Sequence, residues 1–127
     1  MQKSIKINSA IKKFNKKIKV DGDKSLSIRF ALLASQAIGK SKAFNILRSA
    51  DLVSSLKILR KLGIKIQLKK NYCEIIGQGV NGFHYKKNLT LDAENSGTLG
   101  RCILGALVRS PYKIKLIGDN SLSKRDF

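Results

Sequence analysis

Only two cysteines, Cys73 and Cys102, and one histidine, His84, occur among 127 residues. So few thiols give neither a disulfide framework nor a CxxC pair, and both are expected as reduced, buried side chains. His84 falls in an expected surface turn with no Cys or His at ligand spacing, so no metal site is expected. Aromatic residues are 6% of the chain, without the RNP-like pattern that stacks on bases. No apolar run approaches the length that spans a bilayer. Lys12, Lys13, Lys16 and Lys17 interrupt every candidate for the apolar segment of a signal peptide. A cytoplasmic enzyme or binding protein fits these absences.

What the chain does have is positive charge. Lysine and arginine number 26 against 8 acids, a formal net charge of +18. Such a balance raises nucleic acid as a partner. However, lysine supplies 20 of the 26 and is spread along the whole chain, the pattern of solvated faces. Nucleic-acid binding is therefore unlike the main function, although a small basic nucleic-acid-binding domain stays as the alternative from a different class. Acids elsewhere in a larger protein would offset the excess. With 43% apolar and 27% charged residues, the chain is expected to be globular, with a core of its own.

Short strands are expected at Ser4 to Ile7 and Ile18 to Val20, within a segment carrying seven lysines and no acid. From Lys24, Leu26, Phe30, Leu33 and Ala37 recur at helical spacing, with Gly39 expected to close that helix. Ala43 to Leu47 reads as a strand. Ser49 or Asp51 is placed to cap a second helix, with Leu52, Leu56, Leu59 and Leu62 on one face and Gly63 at its end. Ile64 to Leu68 and Tyr72 to Ile76 form an expected strand pair across Lys69, Lys70 and Asn71. The order then restarts: a strand at Leu89 to Leu91, a helix capped by Asn95 or Ser96 through about Val108, and a strand at Tyr112 to Ile117. A Ser-led turn, a strand and an acid follow each helix (Ser41 to Asp51, Ser110 to Asp119). Together these suggest a degenerate repeat of strand–helix–strand–helix–strand–strand, one unit complete and a second cut midway. A chain ending there is expected to be the beginning of a longer protein.

Three basic, glycine-punctuated stretches carry the chemistry: Asp21-Gly22-Asp23-Lys24-Ser25-Leu26-Ser27-Ile28-Arg29, Asn95-Ser96-Gly97-Thr98-Leu99-Gly100-Arg101, and Gly118-Asp119-Asn120-Ser121-Leu122-Ser123-Lys124-Arg125. Each sets small or hydroxyl-bearing residues beside a cation near a helix or strand end. Helix-start N–H groups supply partial positive charge and the cation supplies a full one, which suits small anionic ligands. Ser25 precedes Arg29, and Gly97 precedes Arg101, by four positions, so each pair shares a helix face. Asp21, Asp23, Asp51 and Asp119 are expected in turns and caps rather than in catalysis. Asp21-Gly22-Asp23 lacks EF-hand spacing, and Lys24-Ser25 lacks the glycines of a P-loop.

Those stretches resemble the signatures of the 3-phosphoshikimate 1-carboxyvinyltransferase (EPSP synthase) family: P-G-D-K-S-x-S-x-R, G-N-[AS]-G-T-x-x-R and G-D-x-S-L-x-x-R-P-M. Ser49-Ala50-Asp51 and Leu59-Arg60-Lys61-Leu62-Gly63 also fall at that family's order and spacing, and the resemblance covers about Val20 to Phe127. It implies an α/β class fold, an inside-out α/β barrel (β-prism) only partly present here. Residues 1–20 would associate with a missing second domain, and residues 21–127 would be an incomplete first domain. The implied reaction transfers the enolpyruvyl group of phosphoenolpyruvate to the 5-hydroxyl of shikimate 3-phosphate and releases phosphate. The resemblance implies no cofactor, no metal and a monomeric full-length enzyme. By the same resemblance Lys24 contacts both substrates, and Ser25 and Arg29 hold shikimate 3-phosphate. Asn95, Gly97 and Arg125 hold phosphoenolpyruvate, with Thr98 and Arg101 in support. The family's acid/base groups lie beyond Phe127, so these residues alone are expected not to turn over.

Four positions depart from the family pattern: Asp21 for Pro, Ile28 for His, Glu94 for Gly, and Asp126-Phe127 for Pro-Met. Glu94 and Asp126 place acids beside the expected phosphoenolpyruvate contacts, where they either weaken anion binding or point away. The related transferase acting on UDP-N-acetylglucosamine is the alternative within the enzyme class. It pairs its lysine with Asn, whereas Ser25 follows Lys24 here.

Overall fold

In the computed structural model the described residues are Lys6, Asn15, 20–70 and 72–125. The expected strands at 4–7 and 18–20 lie, apart from Lys6 and Val20, outside them, as do Asn71 and Asp126-Phe127. The chain is α/β. Its order is α1 (Lys24–Gln36), β1 (Ile38–Phe44), α2 (Ala50–Lys61), β2 (Lys65–Leu68), β3 (Tyr72–Gln78), β4 (Leu89–Asp92), α3 (Gly97–Ala106), β5 (Ile114–Ile117) and a 3₁₀ turn at Leu122–Lys124.

Strands β1, β3 and β2 form an antiparallel sheet with β3 in the centre. Strands β4 and β5 form a parallel pair, Leu89 opposite Ile114 and Asp92 opposite Ile117. The parallel pairing follows from chain direction, because α3 returns the chain to the starting end of β4 before β5 begins. Alternation in β3 turns Cys73 and Ile75 inward and Tyr72, Glu74 and Ile76 outward.

Helix α2 matches its sequence pattern closely. Ser49 is its cap, accepting from the Leu52 amide at 3.2 Å, and Leu52, Leu56, Leu59 and Leu62 are all buried. Gly63 stops it with φ +87°, a conformation that costs a residue with a Cβ. Two backbone bonds close that end, Gly63 N–H to the Arg60 carbonyl and Ile64 N–H to the Leu59 carbonyl, each 3.0 Å. Fully burying each leucine stabilises by roughly 1.5–3 kcal/mol.

Helix α1 departs from expectation in three ways. It ends at Gln36, and Gly39, expected as its terminator, lies within β1. Strand β1 accordingly starts at Ile38 rather than Ala43, and Ser41 lies within it rather than in a turn leading to it. Most of the Leu26–Phe30–Leu33–Ala37 stripe does not face the core: Leu26 is 63% and Leu33 70% exposed, and only Phe30 packs partly against it. Burial runs instead through Ser27, Ile28, Ala31, Leu32, Ala34 and Ser35, where small side chains admit close packing against α2, α3 and β3. Two serines there have local partners, Ser27 Oγ donating to the Asp23 carbonyl and Ser35 Oγ to the Leu32 carbonyl, each 2.6 Å. Helix α3 ends at Ala106, two residues before the expected Val108. Cys73 is buried as expected, but Cys102 is exposed on α3. Burial pushes the Cys73 thiol above its ordinary pKa, with Arg60 opposing.

Candidate functional site

Two helix openings hold most of the residues singled out by sequence. At the first, Asp23 caps α1 and accepts from the Leu26 amide at 2.7 Å. Gly22 lies against the chain leaving β1, where a Cβ would collide with the Asn45 carbonyl oxygen and stand 2.7 Å from the Leu47 nitrogen. The Leu47 amide in turn donates to Ser27 Oγ at 3.0 Å. Lys24, the first helical residue, reaches Asp51 in the first turn of α2 at 3.2 Å. Ser25 is half-buried beside it, and Arg29 is exposed one turn further along α1.

At the second opening, Ser96 rather than Asn95 is the cap of α3, accepting from the Leu99 amide at 3.3 Å. The amides of Gly97 and Thr98 remain outside the helix's own ladder and point along the positive end of its dipole. A Cβ on Gly97 would stand 2.8 Å from Arg125 Nη1, with the two terminal nitrogens of Arg101 at 3.7 and 3.9 Å. Two guanidinium groups therefore converge on one bare helix start. Arg125 is steadied by its Nη2 donating to Ser121 Oγ at 3.3 Å. Thr98 is half-buried in the same turn.

The acids around this opening are turned elsewhere. Asn95 Nδ2 donates to Asp119 Oδ2 at 2.5 Å, and Asp119 Oδ1 accepts from the Leu122 amide at 2.7 Å. These bonds hold the Asp119 carboxyl below its ordinary range, the Asn95 amide acting most strongly. Glu94 has φ +51°, the left-handed region that glycine enters freely and other residues rarely occupy. Its carboxylate pairs with Lys57 of α2 at 3.1 Å. Ser54 first and Lys57 second hold that carboxyl below its ordinary range. Asp51 opposes them with a like charge, so the Lys24 partner and Glu94 feel one another. Of the two outcomes open for Glu94, the structure takes the second: its charge is spent on Lys57.

Gly97, Arg101 and Arg125 thus come together, with Asn95 fixing the turn beneath them. Lys24, Ser25 and Arg29 sit at the other opening, where Lys24 pairs with Asp51. Three partners escaped the sequence. Lys57 lies 37 positions from Glu94, and no local pattern links them. Asp51 was legible as a helix-start acid but not as the lysine's partner. Ser121 sits one turn before Arg125, a spacing visible in the sequence. Among the described residues no group of three His, Cys, Asp or Glu side chains could hold a metal ion. No helix among them is long and apolar enough to cross a membrane.

The chain is an α/β protein with two guanidinium groups over the start of α3. Comparison with known proteins then narrows the class. The chain belongs to the EPSP synthase (3-phosphoshikimate 1-carboxyvinyltransferase) family, whose profile matches residues 8–126. The 3-phosphoshikimate 1-carboxyvinyltransferase of Streptococcus suis (strain 98HAH33) is 39% identical over 121 residues, covering 95% of this chain and 28% of that protein. That of Syntrophomonas wolfei is 41% identical over 120 residues, covering 94% and 28%. A solved EPSP synthase from Acinetobacter baumannii superposes with a TM-score of 0.77 at 32% identity, covering 85% of this chain and 24% of that one. The chain spans about a quarter of the length of the relatives it matches.

Proposed function

We propose that this chain forms the first part of a 3-phosphoshikimate 1-carboxyvinyltransferase. It contributes cationic contacts for moving the enolpyruvyl group of phosphoenolpyruvate onto the 5-hydroxyl of shikimate 3-phosphate, with release of phosphate. Gly97, Arg125 and Asn95 receive phosphoenolpyruvate, Arg101 and Thr98 support them, and Ser25 and Arg29 receive shikimate 3-phosphate. Lys24 serves both substrates. The observation carrying this reading is the convergence of Arg125 and Arg101 on the Gly97 backbone.

The physical logic is charge neutralisation followed by orientation. Two substrates bearing phosphate or carboxylate repel each other, and cations arranged around both lower that cost. Charge developing on the tetrahedral adduct is supported by the same donors. Guanidinium groups suit this role because they engage carboxylate or phosphate through paired N–H bonds. The Lys24–Asp51 pair is 52% exposed on the lysine side, so it is screened and readily exchanged for a multiply charged ligand.

In the same proposal the described units belong to an inside-out α/β barrel, residues 21–127 forming an incomplete first domain and residues 1–20 associating with a second. The complete enzyme works as a cytoplasmic monomer without cofactor, and the 127 residues alone bind without turning over. Titrating the chain with shikimate 3-phosphate and with phosphoenolpyruvate, followed by phosphorus NMR, tests this. Arg29→Ala is expected to abolish saturable binding of the first and Arg125→Ala that of the second. Unchanged affinities would refute the residue assignments, and phosphate release by the chain alone would refute its dependence on further residues.

A further inference from the structure

The outer face of the three-stranded sheet takes no part in the site above. Helices α1 and α2 pack with its other side, so alternation sends a separate set of side chains outward. Across the strands these form three rows. Lys40, Ile76 and Lys65 are in register, then Lys42, Glu74 and Gln67, then Phe44 opposite Tyr72. The exposed Lys69 and Lys70 extend the basic edge at the β2–β3 turn. Lys40 satisfies Glu74 at 3.1 Å, which leaves four of the five lysines to set the local field.

The aromatic row separates this surface from lysines merely scattered in solvent. The rings of Phe44 and Tyr72 lie 6.1 Å apart, tilted by 52°, and Phe44 is 68% exposed. The Lys42 ammonium stands 3.8 Å from the Tyr72 ring centre and 5.3 Å from that of Phe44. Among the described residues, the cation over both rings is the exposed Lys42. A shallow groove of about 250 Å³, lined by Lys65, Ile66, Gln67, Glu74 and Ile76, continues from the rings across the sheet.

We infer that this face is a second binding surface, for single-stranded nucleic acid. A splayed base displaces the Lys42 ammonium and stacks on Tyr72 or Phe44, and the freed ammonium meets the adjoining phosphate. Lys65, Lys69 and Lys70 track the backbone beyond it. A duplex hides its base faces and meets only the lysines. A lipid surface asks for a larger apolar face than Phe44, Ile76 and the edge residue Ile38 provide.

Fluorescence anisotropy of the 127-residue chain with fluorescein-labelled dodecathymidylate tests this, each variant being checked for folding by circular dichroism. Saturable binding is expected, with log affinity falling against log salt at a slope of about −3 for four phosphate contacts. Phe44→Ser, at an exposed position, is expected to weaken binding about tenfold through lost stacking. Lys42→Gln weakens it several-fold, whereas the paired control Lys113→Gln and Lys115→Gln, just before and within β5, changes it less than about twofold. Equal losses in the control and the face variants would overturn the inference in favour of diffuse charge. A duplex of the same length bound as tightly would overturn it by removing stacking. Failure to bind the oligomer, with capture by phosphatidylglycerol vesicles instead, would reassign the face to anionic lipid.

Discussion

The openings of α1 and α3 are built to one plan and finished differently. In both, the chain entering the helix runs against the segment leaving the next strand: Gly22 against Asn45 to Leu47, and Glu94 against Asp119 through a 2.8 Å backbone bond. In both, an arginine follows one turn inside. The first opening, however, carries its own acid, Asp23, on the cap amide, and its lysine is engaged by Asp51. The second has a neutral cap, Ser96, and two guanidinium groups over bare backbone. Each cap accepts from one amide, but an acid cap adds a negative charge that repels an outside anion, whereas a serine cap does not. On the proposed function, backbone recognition of an anion would fall to α3, and α1 would offer cations on side chains.

The largest test of that contrast compares the two glycines. Gly22→Ala drives a Cβ into backbone that cannot yield, and we expect a loss of about 1–3 kcal/mol or more in urea unfolding. Gly97→Ala meets only the movable end of Arg125. Stability should hold or rise by roughly 0.5 kcal/mol from helix propensity, while phosphoenolpyruvate affinity falls about tenfold as the guanidinium is displaced. If both substitutions cost equal stability, the distinction between the openings fails.

Ser96→Asp makes the second opening resemble the first. The cap bond is retained, but Ser96 is 1% exposed, so the larger charged side chain is expected to cost about 1–3 kcal/mol. Its carboxylate, competing for the arginines, is expected to lower phosphoenolpyruvate affinity several-fold. An unchanged titration would show that the ligand sits elsewhere.

Acid should also separate the two. Glu94 and Asp119 have folded-state pKa values below their ordinary ranges. The stability they contribute is complete above the unfolded carboxylate range and is lost as pH falls through the folded values. The Asn95 side-chain amide resonance should therefore move below about pH 4. A resonance that stays fixed while both carboxyls protonate would remove the hydrogen bond from the turn. The smallest effect is expected from Asp51→Asn, which frees Lys24 at a cost under about 1 kcal/mol because the lysine end of the pair is exposed. Thermal unfolding that drops by more than ten degrees would mean the pair organises α1 and α2 together.

Helix α2 was legible almost to the residue, because its leucine spacing, Ser49 cap and Gly63 stop all agree. Helix α1 was legible as a helix and misleading as a packing surface, since Leu26 and Leu33 of the expected stripe point outward while Ile28 and Leu32, with small residues between them, point in. Periodicity reports that two faces differ, but not which face is covered. The same limit applied to the cysteines: Cys73 lies on the inward register of β3, and Cys102 on an open face of α3.

By itself the sequence determined the family and narrowed the caps of α2 and α3 to two candidates each, because these depend on spacings within one turn or one motif. Only tertiary structure decided which charges remain available. Glu94 found Lys57, Lys24 found Asp51, and Arg101 and Arg125 were brought over Gly97. Apart from Arg101, which sits one helical turn from Gly97, those pairings join positions far apart in the chain. Coulomb and hydrogen-bond partners are set by distance in space, which no local pattern of residues specifies.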